Sequence, residues 1–114
     1  NLKGCKKLEA DWYQSSWLGH FYKSNSSWCY HLKLGWVVPS IQHENSLWLW
    51  SPILDWLWLD SKTFPDSFAW SLTENDWIYF NFKDSRPTRI FHYADLTWSK
   101  FDQNIRLELE DSLF

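Results

Sequence analysis

The sequence predicts an all-β chain, an antiparallel meander of short, tryptophan-rich hairpins with a repeat-like build, arranged as a sandwich or small barrel. Three observations carry this. The first is a repeat, sought before anything else because a fixed period decides how the remaining pattern is read. Trp28-Cys29-Tyr30-His31-Leu32-Lys33-Leu34-Gly35-Trp36 aligns without gaps on Trp48-Leu49-Trp50-Ser51-Pro52-Ile53-Leu54-Asp55-Trp56, at an offset of 20 residues. A weaker third copy, Ile90-Phe91-His92-Tyr93-Ala94-Asp95-Leu96-Thr97-Trp98, begins 42 residues after the second and keeps the leucine and final Trp in place. The second observation is alternation. Period two puts successive side chains on opposite sheet faces, so Leu47-Trp48-Leu49-Trp50 and Trp56-Leu57-Trp58-Leu59 each present tryptophan on one face and leucine on the other. The third is turn chemistry. The segments 21–30 and 70–79 both read as strand, polar turn, strand. Their Ser, Asn, Thr and Asp side chains bond their own backbone and tolerate left-handed geometry, closing hairpins without glycine, of which the chain has only 3.

Taken in order, residues 1–14 form an N-terminal arm, and residues 6–12 within it are the one place that suits a helical turn. Strands are expected at about 16–22, 27–31, 35–39, 46–51, 55–60, 67–72, 76–82, 88–93 and 97–101. Ile105-Arg106-Leu107-Glu108-Leu109-Glu110 alternates strictly and reads as a last strand with one wet face, giving about 9–10 strands in all. Segments 39–46, 61–66 and 83–87 carry the Pro and polar residues of loops. No linker divides the chain, so it reads as a single domain 1–114, with hairpin repeats over 15–101 and a C-terminal strand or tail over 102–114. The expected register sets Trp48 opposite Trp56 and Trp50 opposite Leu54, with Trp28 opposite Trp36, Tyr30 opposite Leu34 and Phe21 opposite Cys29.

Composition bounds the function. A chain of 114 residues suits one domain. Its 11 Trp, 8 Phe and 5 Tyr supply ample core, since each buried aromatic removes roughly 150–250 Å² from water. No apolar run approaches the ~20 residues of a membrane helix, so no transmembrane segment is expected. A net charge of −3, with basic residues scattered singly apart from Lys6-Lys7, argues against nucleic acid as a partner. Cys5 and Cys29 permit a disulfide without demanding one. Leu2-Lys3-Gly4-Cys5 has the outline of a lipobox, but its lysine and the lack of an upstream apolar region fit poorly. Asn25-Ser26-Ser27 matches a glycosylation sequon. The chain starts without Met, as one cleaved after a signal peptide or trimmed at its start does.

Trp17-Leu18-Gly19-His20-Phe21-Tyr22, Trp28-Cys29-Tyr30-His31, Leu34-Gly35-Trp36 and Trp48-Leu49-Trp50-Ser51 resemble tryptophan-rich repeat segments near the C-termini of secreted or surface proteins of marine bacteria. Trp77-Ile78-Tyr79-Phe80 and Arg89-Ile90-Phe91-His92-Tyr93 extend the likeness over about residues 12–98. The resemblance implies a secreted or cell-envelope location rather than an activity. A remoter similarity, carried by Gly35-Trp36 and Trp28-Cys29-Tyr30, is to choline- and glucan-binding cell-wall repeats, whose aromatics form ligand cages. The chain departs from them in lacking glycine-rich turns.

No phosphate loop, nucleophile elbow or Cys-x-x-Cys occurs. His20, His31, His43 and His92 read as edge or turn residues, and the expected register sends His20 and His31 to opposite faces, against a metal site. A glycosidase needs two carboxylates, and Asp55 and Asp60 flank a Trp-rich strand. Asp55, however, shares its repeat place with Gly35 and Thr97 and so reads as a turn residue, as do Glu74, Asn75 and Asp76. No catalytic residue, metal or cofactor is assigned. Trp28, Tyr30, Trp36, Trp48, Trp50, Trp56 and Trp58 are the candidate ligand-binding surface, because flat aromatics stack on sugar rings and cage ammonium groups. The competing reading packs them between two layers or inside a barrel. Six or seven open indoles exceed the apolar patch of a few hundred Å² that a monomer usually shows, so the face is either covered or occupied. The expected function is a non-enzymatic extracellular or envelope-associated binding or adhesion module with a glycan ligand. The alternative is a structural interaction domain that self-associates or docks a neighbouring domain through its aromatic face.

Overall fold

A computed structural model describes residues 5–83 and 87–102. The strands are β1 (Cys5–Lys7), β2 (Trp12–Ser15), β3 (Gly19–Lys23), β4 (Cys29–His31), β5 (Gly35–His43), β6 (Ser46–Ser51), β7 (Asp55–Asp60), β8 (Phe68–Ser71), β9 (Asp76–Asn81), β10 (Thr88–His92) and β11 (Thr97–Phe101). One 3-10 turn, Phe64–Asp66, lies between β7 and β8. Each strand pairs with the next in a single 11-stranded sheet. The antiparallel all-β meander is therefore the fold, built as one sheet whose edges β1 and β11 stay apart, rather than as a sandwich or closed barrel. No helix among the described residues is long and apolar enough to cross a membrane.

Two expectations about the start of the chain are corrected. Residues 6–12 form no helical turn but most of the β1–β2 hairpin. There Leu8 N–H donates to the Trp12 carbonyl at 2.7 Å, and Ala10 and Asp11 take left-handed φ of 54° and 64°. The strand expected over 16–22 is split, with β2 ending at Ser15, a turn intervening, and β3 starting at Gly19. The strand expected at Ile105–Glu110 lies outside the described residues.

Alternation builds the core. Leu47, Leu49, Leu57 and Leu59 are 0–1% exposed, while Trp48, Trp50, Trp56 and Trp58 between them are half-buried. Fully burying one such leucine is worth about 1.5–3 kcal/mol. Val37, Ala69, Ile78, Phe80, Ile90 and Phe101 continue the inner face into one cluster that also holds Leu18 and Phe21. Long twisted sheets coil, and this one coils far enough for its two halves to meet. The His31 ring on β4 lies 5.7 Å from that of Phe64, Phe64 lies 6.4 Å from Phe82, and the Lys33 ammonium sits 5.0 Å above Phe82.

The hairpin turns at one end of the sheet share a construction. Ser15 Oγ accepts the Leu18 N–H at 3.2 Å, Ser51 Oγ that of Leu54 at 3.2 Å, and Ser71 Oγ that of Glu74 at 3.2 Å. In the second turn His31 takes the serine's place, its Nδ1 accepting the N–H groups of Lys33 and Leu34 at 3.1 and 3.2 Å. Each turn also needs a left-handed residue near its close, supplied by Gly19, Gly35, Asp55, Asn75 and Leu96. Most side chains resist that geometry, and glycine, Asn and Asp resist it least.

These demands set the register. Ser51 pairs with Asp55, Trp50 with Trp56 and Trp48 with Trp58; His31 pairs with Gly35 and Phe21, and Tyr30 with Trp36. The expected pairing of Trp50 with Leu54 and Tyr30 with Leu34 is displaced by two positions, because it would close the turns on leucine instead of Asp55 and Gly35. An even displacement leaves every side chain on its own face, so the expected division of faces holds. A β-bulge between Pro39 and Gln42 sets Ser40 and Ile41 against Trp48 alone.

His31 makes the fold pH-sensitive. It is 3% exposed, and with Nδ1 accepting two N–H groups its Nε2–H donates to the Leu18 carbonyl at 2.6 Å, an arrangement open only to the neutral ring. Burial, followed by the nearby charges of Lys33 and His20, pushes its pKa down to about 4 despite the opposing Leu18 bond. The unfolded ring titrates near ~6.5, so the stabilisation is complete above that pH and is lost as pH falls towards 4. Urea unfolding should show on the order of 3 kcal/mol less stability at pH 4 than at pH 7 from this residue. In His31→Ser, which restores the residue of the sister turns, that share of the pH dependence should disappear.

Candidate functional site

The seven candidate aromatics lie together. Trp28 precedes β4; Tyr30 is on β4, Trp36 on β5, Trp48 and Trp50 on β6, and Trp56 and Trp58 on β7. All share the outer face and all are half-buried. Tyr30 meets Trp36 with ring centres 5.3 Å apart, and Trp28 meets Trp50 at 6.1 Å, both edge to face. That geometry sets the positive rim of one ring against the negative face of the next, and is worth ~0.5–1.5 kcal/mol per pair beyond burial.

The face is wider than those residues. On one side Trp12 and Tyr22 join it, with rings 5.7 Å apart and Tyr22 reaching Trp36 at 6.5 Å. On the other, the register runs Trp48, Trp58, Trp70, Trp77 across β6 to β9, a row of four indoles on adjacent strands. Trp70 meets Trp77 at 5.6 Å, and Phe68, Tyr79, Phe91 and Trp98 carry the face to the last strand. Trp70 and Trp77 bracket a strand-turn-strand unit and obey the same alternation, so the signal for them was present. Trp12 was hidden by the helical reading of residues 6–12.

Polar groups border this face. Ser46 pairs with Asp60 beside the Trp48–Trp58 pair. Thr63, Phe68, Asp76, Trp77 and Tyr93 line an apolar groove of about 330 Å³, where the Thr63 Oγ1 is buried without a hydrogen-bond partner among the described residues. A smaller cleft of about 170 Å³ near the other end is lined by Phe21, Lys23, Cys29, Pro39 and Gln42 among others.

Reactive groups are dispersed. Asp55 and Asp60 stand at opposite ends of β7, about 16 Å apart at ~3.3 Å per residue, well beyond the roughly 5–9.5 Å of a glycosidase pair. Asp55 Oδ1 accepts the Trp56 N–H at 2.9 Å and Asp76 Oδ1 that of Trp77 at 2.7 Å, both as turn residues. His20 is exposed while His31 is buried on the other face, and the described residues hold no group of three or more His, Cys, Asp or Glu suited to a metal ion. Cys5 and Cys29 are not joined in a disulfide. Burial pushes both thiols up, so they stay protonated and weakly nucleophilic. His92 bridges Glu74 Oε2 at 2.7 Å and Ser99 Oγ at 2.6 Å. That chain has the connectivity of a nucleophile, base and orienting acid, but Ser99 is exposed on the edge strand and neither the groove nor the cleft includes any of the three. Its evident work is to tie the turn at 71–76 to β10 and β11.

The two faces should respond differently to truncation. Leu57→Ala, at a fully buried site, should cost about 2–5 kcal/mol in urea unfolding. Trp56→Ala on the neighbouring outer position should cost roughly 1–2 kcal/mol, since it loses a partial burial and an edge contact.

Compared with family models, curated proteins and solved structures, the chain matches none, so its functional reading rests on the geometry of this face.

Proposed function

We propose that the chain is a non-enzymatic binding or adhesion module of the extracellular space or cell envelope, and that its outer aromatic face takes a glycan. The observation that carries this is the row Trp48, Trp58, Trp70, Trp77, four half-exposed indoles on consecutive strands. At ~4.8 Å between strands the row spans about 14 Å, which suits an oligosaccharide better than a single ring. The polarised C–H faces of sugars stack on such indoles, and Ser46 and Asp60 stand at the end of the row to meet hydroxyls. A structural interaction domain is the rival reading. It is favoured by the extent of the face, which carries aromatics on every strand from β2 to β11, more than a lone monomer usually leaves open.

Titration with soluble oligosaccharides, chosen by a glycan array, should shift or quench the tryptophan emission. Trp58→Ala and Trp70→Ala should each weaken that binding roughly tenfold, about 1.4 kcal/mol. An emission insensitive to every glycan, together with a mass that grows with protein concentration, would overturn the glycan reading in favour of self-association.

A further inference from the structure

We propose that the sheet end formed by the turns at 15–19, 31–35, 51–55, 71–76 and 92–97 seats on a lipid bilayer with electrically neutral headgroups, the turn tips entering the acyl boundary and a belt of tryptophans lying at headgroup level. Its aliphatic tips lie at the end of the sheet, off the glycan row, although the belt shares Trp77 with that row and Trp36 and Trp56 with the wider outer face; the proposal does not depend on the glycan reading.

Two features point to it. The first is where the fold leaves large apolar side chains in water. Leu32 (53% exposed), Ile53 (36%), Leu72 (53%), Tyr93 (40%) and Leu96 (71%) all sit on these tips, and Trp98 (46%) is beside the last. Among the described residues only Ile41 is comparably exposed elsewhere. The turns at the opposite end are polar by contrast, with Ser24-Asn25-Ser26-Ser27 and Glu44-Asn45 at their tips. The second is the placement of tryptophan. Trp36, Trp56, Trp77 and Trp98 each follow directly on the first residue of the strand leaving a turn, Gly35, Asp55, Asp76 and Thr97. Indole prefers the boundary between hydrocarbon and water. Aliphatic tips above a tryptophan belt are the profile of a surface that enters a bilayer by ~5–10 Å.

The form of the surface selects lipid over protein. Neighbouring hairpins are two strands apart, so the tips recur about every 10 Å, with Asp55 and Asp95 exposed between them. A stable protein interface buries a close-packed patch of about 800 Å² per partner. Separated prongs instead suit a fluid apolar medium that closes around each one. The tips are also held before docking: the N–H groups of Leu32, Leu72 and Tyr93 donate to the carbonyls of His20, Trp56 and Trp77, which limits the ordering cost of binding. Charge selects the headgroup. Asp55, Glu74, Asp76 and Asp95 outnumber Lys33 at this end, so anionic lipid is repelled and a zwitterionic headgroup is favoured.

The test is co-sedimentation with phosphatidylcholine vesicles, read together with tryptophan emission and its quenching by brominated acyl chains. The unmodified protein should bind with a blue shift, undiminished by salt. Leu32→Ser, Leu72→Ser and Leu96→Ser should each weaken binding roughly tenfold, with circular dichroism and urea midpoints unchanged because these side chains are exposed. Ile41→Ser, away from these tips, should leave binding as it was. No binding to phosphatidylcholine, binding that requires anionic lipid, or binding undiminished in the leucine variants would overturn the proposal. Loss of concentration-dependent self-association in those variants, without vesicle binding, would overturn it too and make a second copy the occupant.

Discussion

The structure depends on a division of labour between the two faces of one sheet. A single meander has no second layer to bury its apolar face, so the sheet must cover that face with itself, and its coiling does so through the contacts of His31 with Phe64 and of Lys33 with Phe82. Only compact aliphatic and phenyl side chains suit the inside of such a curl. Leu47, Leu49, Leu57, Leu59, Ile78, Phe80 and Ile90 fill it, and no tryptophan is among the fully buried residues. The strand indoles are left on the outside, where the surface is more open and edge-to-face pairs can form between strands, while Trp17, in a turn, packs against the inner cluster.

Phase along each strand is what keeps that division intact, and the turns hold the phase. A slip of one residue would turn every leucine outward. The buried Ser15, His31, Ser51 and Ser71 prevent it by satisfying turn N–H groups that would otherwise be stranded beneath the surface. A left-handed residue near the close of each loop completes the restraint. The turns are therefore the most constrained positions in the chain, and exposed leucines on their tips are conspicuous because folding gives no reason for them.

Much of this is legible in the sequence. Strict alternation in residues 47–50 and 56–59 fixes the faces, and the 20-residue repeat identifies corresponding turns. Register was not legible to the same degree. Pairing Trp50 with Leu54 looks as good by hydrophobic pattern as pairing it with Trp56, and only the left-handed geometry at Asp55 and the polar cap at Ser51 discriminate between them. The β1–β2 hairpin was missed because Lys6-Lys7-Leu8-Glu9-Ala10 has helical composition, and pairing with β3 overrides that local preference. The burial of His31 was hidden for a different reason: the gap-free repeat already sets His31 on Ser51, but nothing in the sequence shows that this place caps a turn from the buried face. Of the candidate face, the seven residues were legible by alternation alone, whereas its reach to Trp12 and Trp98 followed only from the strand order.

The architecture depends on the strand tryptophans pointing outward while the strand leucines Leu47, Leu49, Leu57 and Leu59 point in. Acrylamide and iodide quenching of tryptophan fluorescence in dilute native protein measures this most directly. The arrangement predicts that a large fraction of the emission is quenched by both agents before any unfolding, because every tryptophan is at least partly accessible. Emission shielded from both at all protein concentrations would place the indoles in the core and contradict it.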